Sequence, residues 1–335
     1  MADQGITINA SEGALRRALN EAYSRGMSLS EFTEEAWLTL VGQKQPQTPE
    51  EEGLPDDYGM MPGVSHLDQH DGPIESSLLG GEPRHITPDV LWGQFKIFPM
   101  KYTLRVLSRL MAEQGAITMV QWQDEVRTHS LDARETLRTK DTRYQLPRGE
   151  QLATSFPRRD AKSMEKSVQR FVNHYCGIIQ GGGRGDVVGM PAEIGFIEVD
   201  RGKKEVRLTE QGASFVSLPN PQMEGDEVET KVLWPEERLF LIKHLAENLP
   251  LDWEFCTLVL RAISEGSDKS DELEEAVMAL LGEDDKWEKV KQSGFSTYVR
   301  GALGRCGELG LVERTWDKRK VTYHLSDEAV EVCLI

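Results

Sequence analysis

Apolar positions along the chain fall into three periodic blocks, separated by two stretches in which neither a strand nor a helix period holds. In the first block Ile6, Ile8 and Ala10 alternate with Gly5, Thr7 and Asn9, the period of a strand. Leu15, Ala18, Leu19, Ala22 and Tyr23 then repeat at helical spacing until Gly26. Ser28 with Glu31 forms a capping box that opens a second helix, on which Phe32, Ala36 and Leu40 recur every fourth residue. Residues 44–85 are rich in Pro, Gly and acid and carry no period, so a disordered linker is expected there. A second break falls at 218–230, where Pro219, Pro221 and a run of acids interrupt the pattern. The division expected is therefore a segment 1–43, a linker 44–85, a domain 86–217, a linker 218–230 and a domain 231–335.

The two larger blocks end alike. Each offers a helix stop at a glycine, a short strand (Phe196 to Asp200; Leu311 to Thr315), a basic turn, a return strand (Glu205 to Leu208; Val321 to Leu325), and Thr209 or Ser326 as the N-cap of a last helix. In the first copy Asp200, Arg201, Gly202 and Lys203 predict a two-residue hairpin turn with Gly202 at positive φ. Ahead of it, residues 161–176 place Met164, Val168, Phe171, Val172 and Tyr175 on one helical face and Lys162, Lys166, Gln169 and Asn173 on the other. In the second copy Phe295, Val299, Ala302, Cys306 and Leu309 form the apolar stripe, leaving Thr297, Arg300 and Gly304 outward with Arg305 at the edge of that face. Both blocks resemble the winged helix-turn-helix, a DNA-binding architecture in which the helix before the wing enters the major groove. The resemblance implies base and phosphate contacts from Lys162, Lys166, Gln169 and Asn173, with Arg201, Lys203 and Lys204 on the first wing. In the last domain it implies Arg300, Lys318, Arg319 and Lys320. Gly301, Gly304 and Gly307 weaken that second helix by up to about 1 kcal/mol each relative to Ala, which suits close packing against a protein partner.

The opening segment resembles the ribbon-helix-helix family, on Gly26, Ser28, Ser30, Glu31, Phe32 and Ala36 at the start of its second helix. One strand and two helices are too few to bury a core alone, and in that family two chains pair through the strand, so a homodimer is expected. The resemblance places Thr7 and Asn9 toward bases and the Ser28 end of the second helix on a phosphate.

Charge redistributes these expectations. The net charge of −17 over 335 residues speaks against nucleic acid, but it is uneven: −3 over 1–43, −7 over 44–85, +5 over 86–209, −14 over 210–285 and +2 over 286–335. Arg134, Arg138, Lys140, Arg143, Arg148, Arg158 and Arg159 add to the basic middle block, while the opening strand has no cation at all. The strongest grip on DNA is thus expected from residues 86–217.

Catalytic and metal-binding patterns are not met. Residues 180–191, QGGGRGDVVGMP, lack the spacing of a nucleotide cradle and follow a helix, so a flexible loop with Arg184 is expected. His66 and His70 lie among prolines and glycines. Cys176, Cys256, Cys306 and Cys333 form no CxxC pair, so neither zinc nor a disulfide framework is implied. No run of 18 apolar residues and no signal-peptide pattern occurs, which leads to the expectation of a cytoplasmic chain without membrane contact. The fold class expected is mainly α with small β wings, an α+β protein with a ribbon-helix-helix-like start and tandem winged helices on a flexible linker. The function expected is binding of double-stranded DNA without catalysis or cofactor, as a transcriptional regulator or the DNA-recognition subunit of a mobile-element or defence system. The competing expectation is a structural adapter whose second winged helix clamps a protein partner.

Overall fold

The computed structural model describes residues 61–64, 90–91, 96–147, 150–160, 162–180, 186–200, 202–224, 231–292, 294–317, 320–327 and 329. The chain divides into two units, 1–57 and 58–335, and every described residue belongs to the second. The strand and helices expected before residue 43, with Thr7, Asn9 and Ser28, lie outside the described residues, as do Arg148, Arg184, Arg201, Lys318 and Arg319. Among the described residues the protein is mainly helical with three small antiparallel sheets. No described helix is long and apolar enough to cross a membrane.

The first half runs α1 (Phe98–Gln114), β1 (Ile117–Thr118), α2 (Met119–Arg143), a 3-10 turn (Leu152–Ser155) and α3 (Met164–Tyr175). It continues with β2 (Ile178–Gln180), β3 (Asp186–Val188), α4 (Met190–Glu193), β4 (Ile197–Asp200), β5 (Glu205–Leu208) and α5 (Glu210–Ser217). Side-chain caps start three of these helices: Thr118 and Gln121 close a capping box on α2, Ser163 accepts from Lys166 N at α3, and Thr209 accepts from Gly212 N at α5. The main sheet has the order β1-β5-β4, with Val206 opposite both Ile117 and Val199. Val206 and Leu208 alternate into the core from its central strand. Gly212 lets α5 close on β4, since a Cβ there would stand 2.0 Å from the Phe196 carbonyl oxygen.

Two local expectations are corrected here. The first wing is linked by four residues, because Asp200 pairs with Glu205, and the positive φ falls on Lys204 at 59°. Gly202 is not needed at positive φ because the Asp200 carboxylate organises the turn, accepting from Gly202 N at 2.8 Å and Lys203 N at 3.1 Å. The glycine-rich stretch expected as a loop is flanked by a hairpin, Ile178 to Gln180 against Asp186 to Val188. Runs of three residues are too short for an alternating period to reveal.

The second half runs α6 (Pro235–Asn248), α7 (Pro250–Ser264), α8 (Ser270–Leu281), a 3-10 turn (Asp285–Trp287) and α9 (Glu288–Gln292). It ends in α10 (Phe295–Glu308), β6 (Val312–Asp317) and β7 (Lys320–Leu325). The halves share one bonding device. Met119 N, at the start of α2, donates to Lys204 O beside β5, and Tyr323 N in β7 donates to Asp268 O between α7 and α8.

Buried polar groups join the halves. Glu308, at the end of α10, accepts from Ile97 N and Phe98 N and so caps α1, which has no side-chain cap of its own. Lys101 of α1 is fully buried, pairs with Glu237 of α6 at 3.1 Å, and donates to Phe215 O and to Leu218 O at 2.9 Å. Burial lowers the Lys101 ammonium from its ordinary value to about 7, against the pull of Glu237, whose own carboxyl burial raises. Around them Phe196, Phe215, Phe240 and His244 stack across the junction. The stretch expected as a second linker packs where described: Asn220, Pro221, Gln222 and Met223 are buried. Asn220 donates to Glu237 and Lys140 donates to Gln222, so the polar side chains that suggested solvent are satisfied inside. Met61 and Val64, from the first expected linker, are likewise buried, with Tyr102 Oη donating to Pro62 O and Arg109 Nε to Gly63 O.

Candidate nucleic-acid interface

Helix α3 presents the face that the pattern led one to expect. Val168, Phe171, Val172 and Tyr175 are buried, packing beside Phe156, while Lys162, Lys166 and Gln169 are exposed and Asn173 is half-exposed. Arg170 belongs to the same outward sector and was missed by the sequence reading, although its i+4 spacing from Lys166 marks it. The side chains of Lys162, Lys166 and Arg170 make no ion pair or hydrogen bond with any described residue. Lys162 stands in the turn before the Ser163 N-cap, and Lys166 and Arg170 follow on the helix four residues apart. Beside them Arg127 of α2 donates to Gln169, and Gln169 donates to Asn173 at 2.7 Å, a chain of side chains able to donate to or accept from base edges. Met164, expected in the core, is 43% exposed because it is the first residue of the helix and projects beyond the packed body.

Most of the other cations counted in the basic block serve the fold or are neutralised locally. Arg134 is half-buried and donates to Ala153 O and Phe156 O, Lys140 is buried against Gln222, and Arg159 pairs with Asp132. Arg138 pairs with Glu135 at 3.3 Å. Arg158 pairs with Asp160 at 2.7 Å and holds that carboxyl down at about 2. On the first wing Lys203 and Lys204 are exposed, Lys203 within 3.9 Å of Glu205.

Helix α10 is placed differently. Its apolar stripe is buried as expected at Val299, Ala302, Cys306 and Leu309, but Gly304 is buried instead of outward, and Arg305 is completely buried instead of lying at the edge of a groove face. Arg305 pairs with Asp252 of α7 at 2.6 Å, and Asp252 also accepts from Leu91 N at 3.0 Å. Leu91, whose carbonyl accepts from Arg305 at 3.4 Å, and Ile97 and Phe98, whose N–H groups donate to Glu308, thus lie against the part of α10 that would otherwise face outward. Arg300 stays exposed, 3.7 Å from Glu274, and Lys320 is exposed at the last hairpin. The close helix packing invited by the glycines is made within the chain.

Among the described residues no three His, Cys, Asp or Glu side chains come together to hold a metal ion. Cys176 and Cys306 are buried free thiols; burial pushes Cys176 well above the ordinary thiol range, and a hydrogen bond with Cys256, together with burial, does the same to Cys306. The chain matches no family model, no curated protein and no solved structure.

Proposed function

We propose that the protein binds double-stranded DNA through α3, with the β4–β5 wing beside it, and that it acts as a regulator or as the DNA-recognition subunit of a larger system. The observation that carries this reading is the row Lys162, Lys166 and Arg170, unpaired within the described protein and flanked by Gln169 and Asn173. Three cations with no partner among the described residues and two amides, on α3 and the turn that leads into it, suit phosphates and base edges of one major groove, which is wide enough to admit a helix. The strand order β1-β5-β4 supports a winged-helix reading of the first half. The Tyr323 to Asp268 bond supports the same reading of the second. The N-terminal segment is proposed to pair two chains, so that two α3 helices engage one duplex with a gain from effective concentration.

The burial of Arg305 and Gly304 favours α3 over α10 as the reading helix. A second reading, an adapter that holds a protein partner, is favoured by the exposed acids of α6 and α8, among them Glu236, Glu247, Asp271 and Glu275. Anisotropy titrations of labelled mixed-sequence duplex separate the two. The DNA reading expects binding that Lys162→Glu with Lys166→Glu abolishes, and the adapter reading expects no binding from either protein.

A further inference from the structure

The two amides on the outward face of α3 are held in one direction by a residue of another helix. Arg127 of α2 is anchored by Asp124 through one guanidinium nitrogen and donates from another to Gln169 Oε1 at 3.2 Å. Gln169 donates from Nε2 to Asn173 Oδ1 at 2.7 Å. An amide turned end for end keeps its shape, so its hydrogen bonds decide which end lies where, and a guanidinium has donors alone. Arg127 therefore sets the direction of the whole chain. It claims the oxygen of Gln169, which leaves the Gln169 nitrogen facing Asn173, and that nitrogen in turn holds the Asn173 oxygen along the helix. Asn173 Nδ2 stands at the open end and makes no hydrogen bond with any described residue. Gln169 is exposed and Asn173 half-exposed, so what the chain offers outward is N–H: two from Asn173 and the second one of Gln169.

The major groove tells donors from acceptors. Adenine is read by an amide that aims its oxygen and nitrogen together at N6 and N7, and here the oxygen ends are turned to their neighbours. Cytosine shows a donor, N4, and thymine a single acceptor, O4, beside its methyl group. Guanine shows O6 and N7, two acceptors side by side, which suits an end that offers donors. Building on α3 as the DNA-binding helix, we propose that Asn173, polarised by Arg127 through Gln169, selects guanine in the bound duplex. Arg127 acts as a positioning residue, since it reaches the base only through the amides.

Selection from a random duplex pool by the full chain gives the preferred site, and anisotropy with single-base variants of that site gives the preference at each position. One guanine is expected whose exchange for adenine weakens binding by at least about fivefold. Asn173→Asp keeps the shape but offers only acceptors, so at that position its own preference is expected to move from guanine to cytosine. Arg127→Leu releases the direction of the chain and is expected to bring guanine and adenine level, whereas Arg127→Lys, which still donates, keeps the preference for guanine. Thermal melts that match the parent's show that the variants keep the fold. No duplex binding by the parent would overturn the DNA reading of α3 and this proposal with it. Duplex binding without such a guanine would overturn this proposal alone, as would a guanine preference that survives both Asn173→Asp and Arg127→Leu, or one lost equally in Arg127→Lys and Arg127→Leu.

Discussion

Replacing Arg305 by Met removes a charge that the chain has enclosed completely, and the consequence can be worked out in advance. Arg305 is fully buried against an equally buried Asp252, with their charged atoms 2.6 Å apart. Burial alone raises the Asp252 carboxyl, and the guanidinium opposes that shift. Arg305→Met leaves Asp252 without its counter-charge, and breaking a buried pair from one side costs about 3–5 kcal/mol. Asp252→Leu is expected to cost a similar amount, with an addition for Leu91 N, which would lose its acceptor. Replacing both by apolar residues of similar volume removes the two desolvated charges together, so the double variant is expected to lie well above the sum of the singles. Urea unfolding followed by helical circular dichroism measures all four proteins, with the midpoint shift scaled by the slope. A loss below about 1 kcal/mol in Arg305→Met, or strict additivity of the two changes, would refute the assignment of this pair as a mutually dependent strut.

Other outcomes follow from single contacts. Glu308→Ala leaves Ile97 N and Phe98 N buried without an acceptor and should cost about 2–4 kcal/mol, read as a lower urea midpoint. Gly212→Ala forces a methyl group against the Phe196 carbonyl and should cost at least about 1–3 kcal/mol in a thermal melt. His174 and His244 are held below the ordinary histidine value by burial, and Asn248 donates to His244 Nδ1 while His244 Nε2 donates to Ile194 O, the pattern of a neutral ring. Below pH about 6.5 the unfolded chain therefore binds more protons than the folded one, so stability falls as pH drops through that window. The melting temperature should decline from neutral pH toward pH 5, and His244→Gln should flatten part of the decline.

The chain ends of both halves were legible because each sits where several signals agree: a stop glycine, a short alternating run, a basic turn and a Thr or Ser cap. The outward face of α3 was legible for the same reason, since four buried apolar positions leave little freedom for the rest of the helix. Arg305 was not, because a cation at the edge of a helical wheel looks alike whether it meets water or an Asp from 53 positions earlier. Gln222 and Asn220 misled in the opposite sense. Polar residues beside prolines suggest solvent, and only their pairing with Lys140 and Glu237 makes their burial tolerable. Local pattern reports which residues share a face, while the partner across that face comes from distant sequence. The same limit explains why the cations of α2 were counted toward DNA when Arg134 and Lys140 serve the fold.

The central proposal is that α3 and the turn before it hold a duplex through Lys162, Lys166 and Arg170. It is tested most directly by the slope of log affinity against log salt for duplex DNA, in the parent chain and in the triple alanine variant of those residues. Each phosphate contact contributes a slope of about −0.9, so the variant is expected to lose about 2.7 from the magnitude of the slope while keeping the parent's melting temperature. An unchanged slope with intact folding would contradict the account.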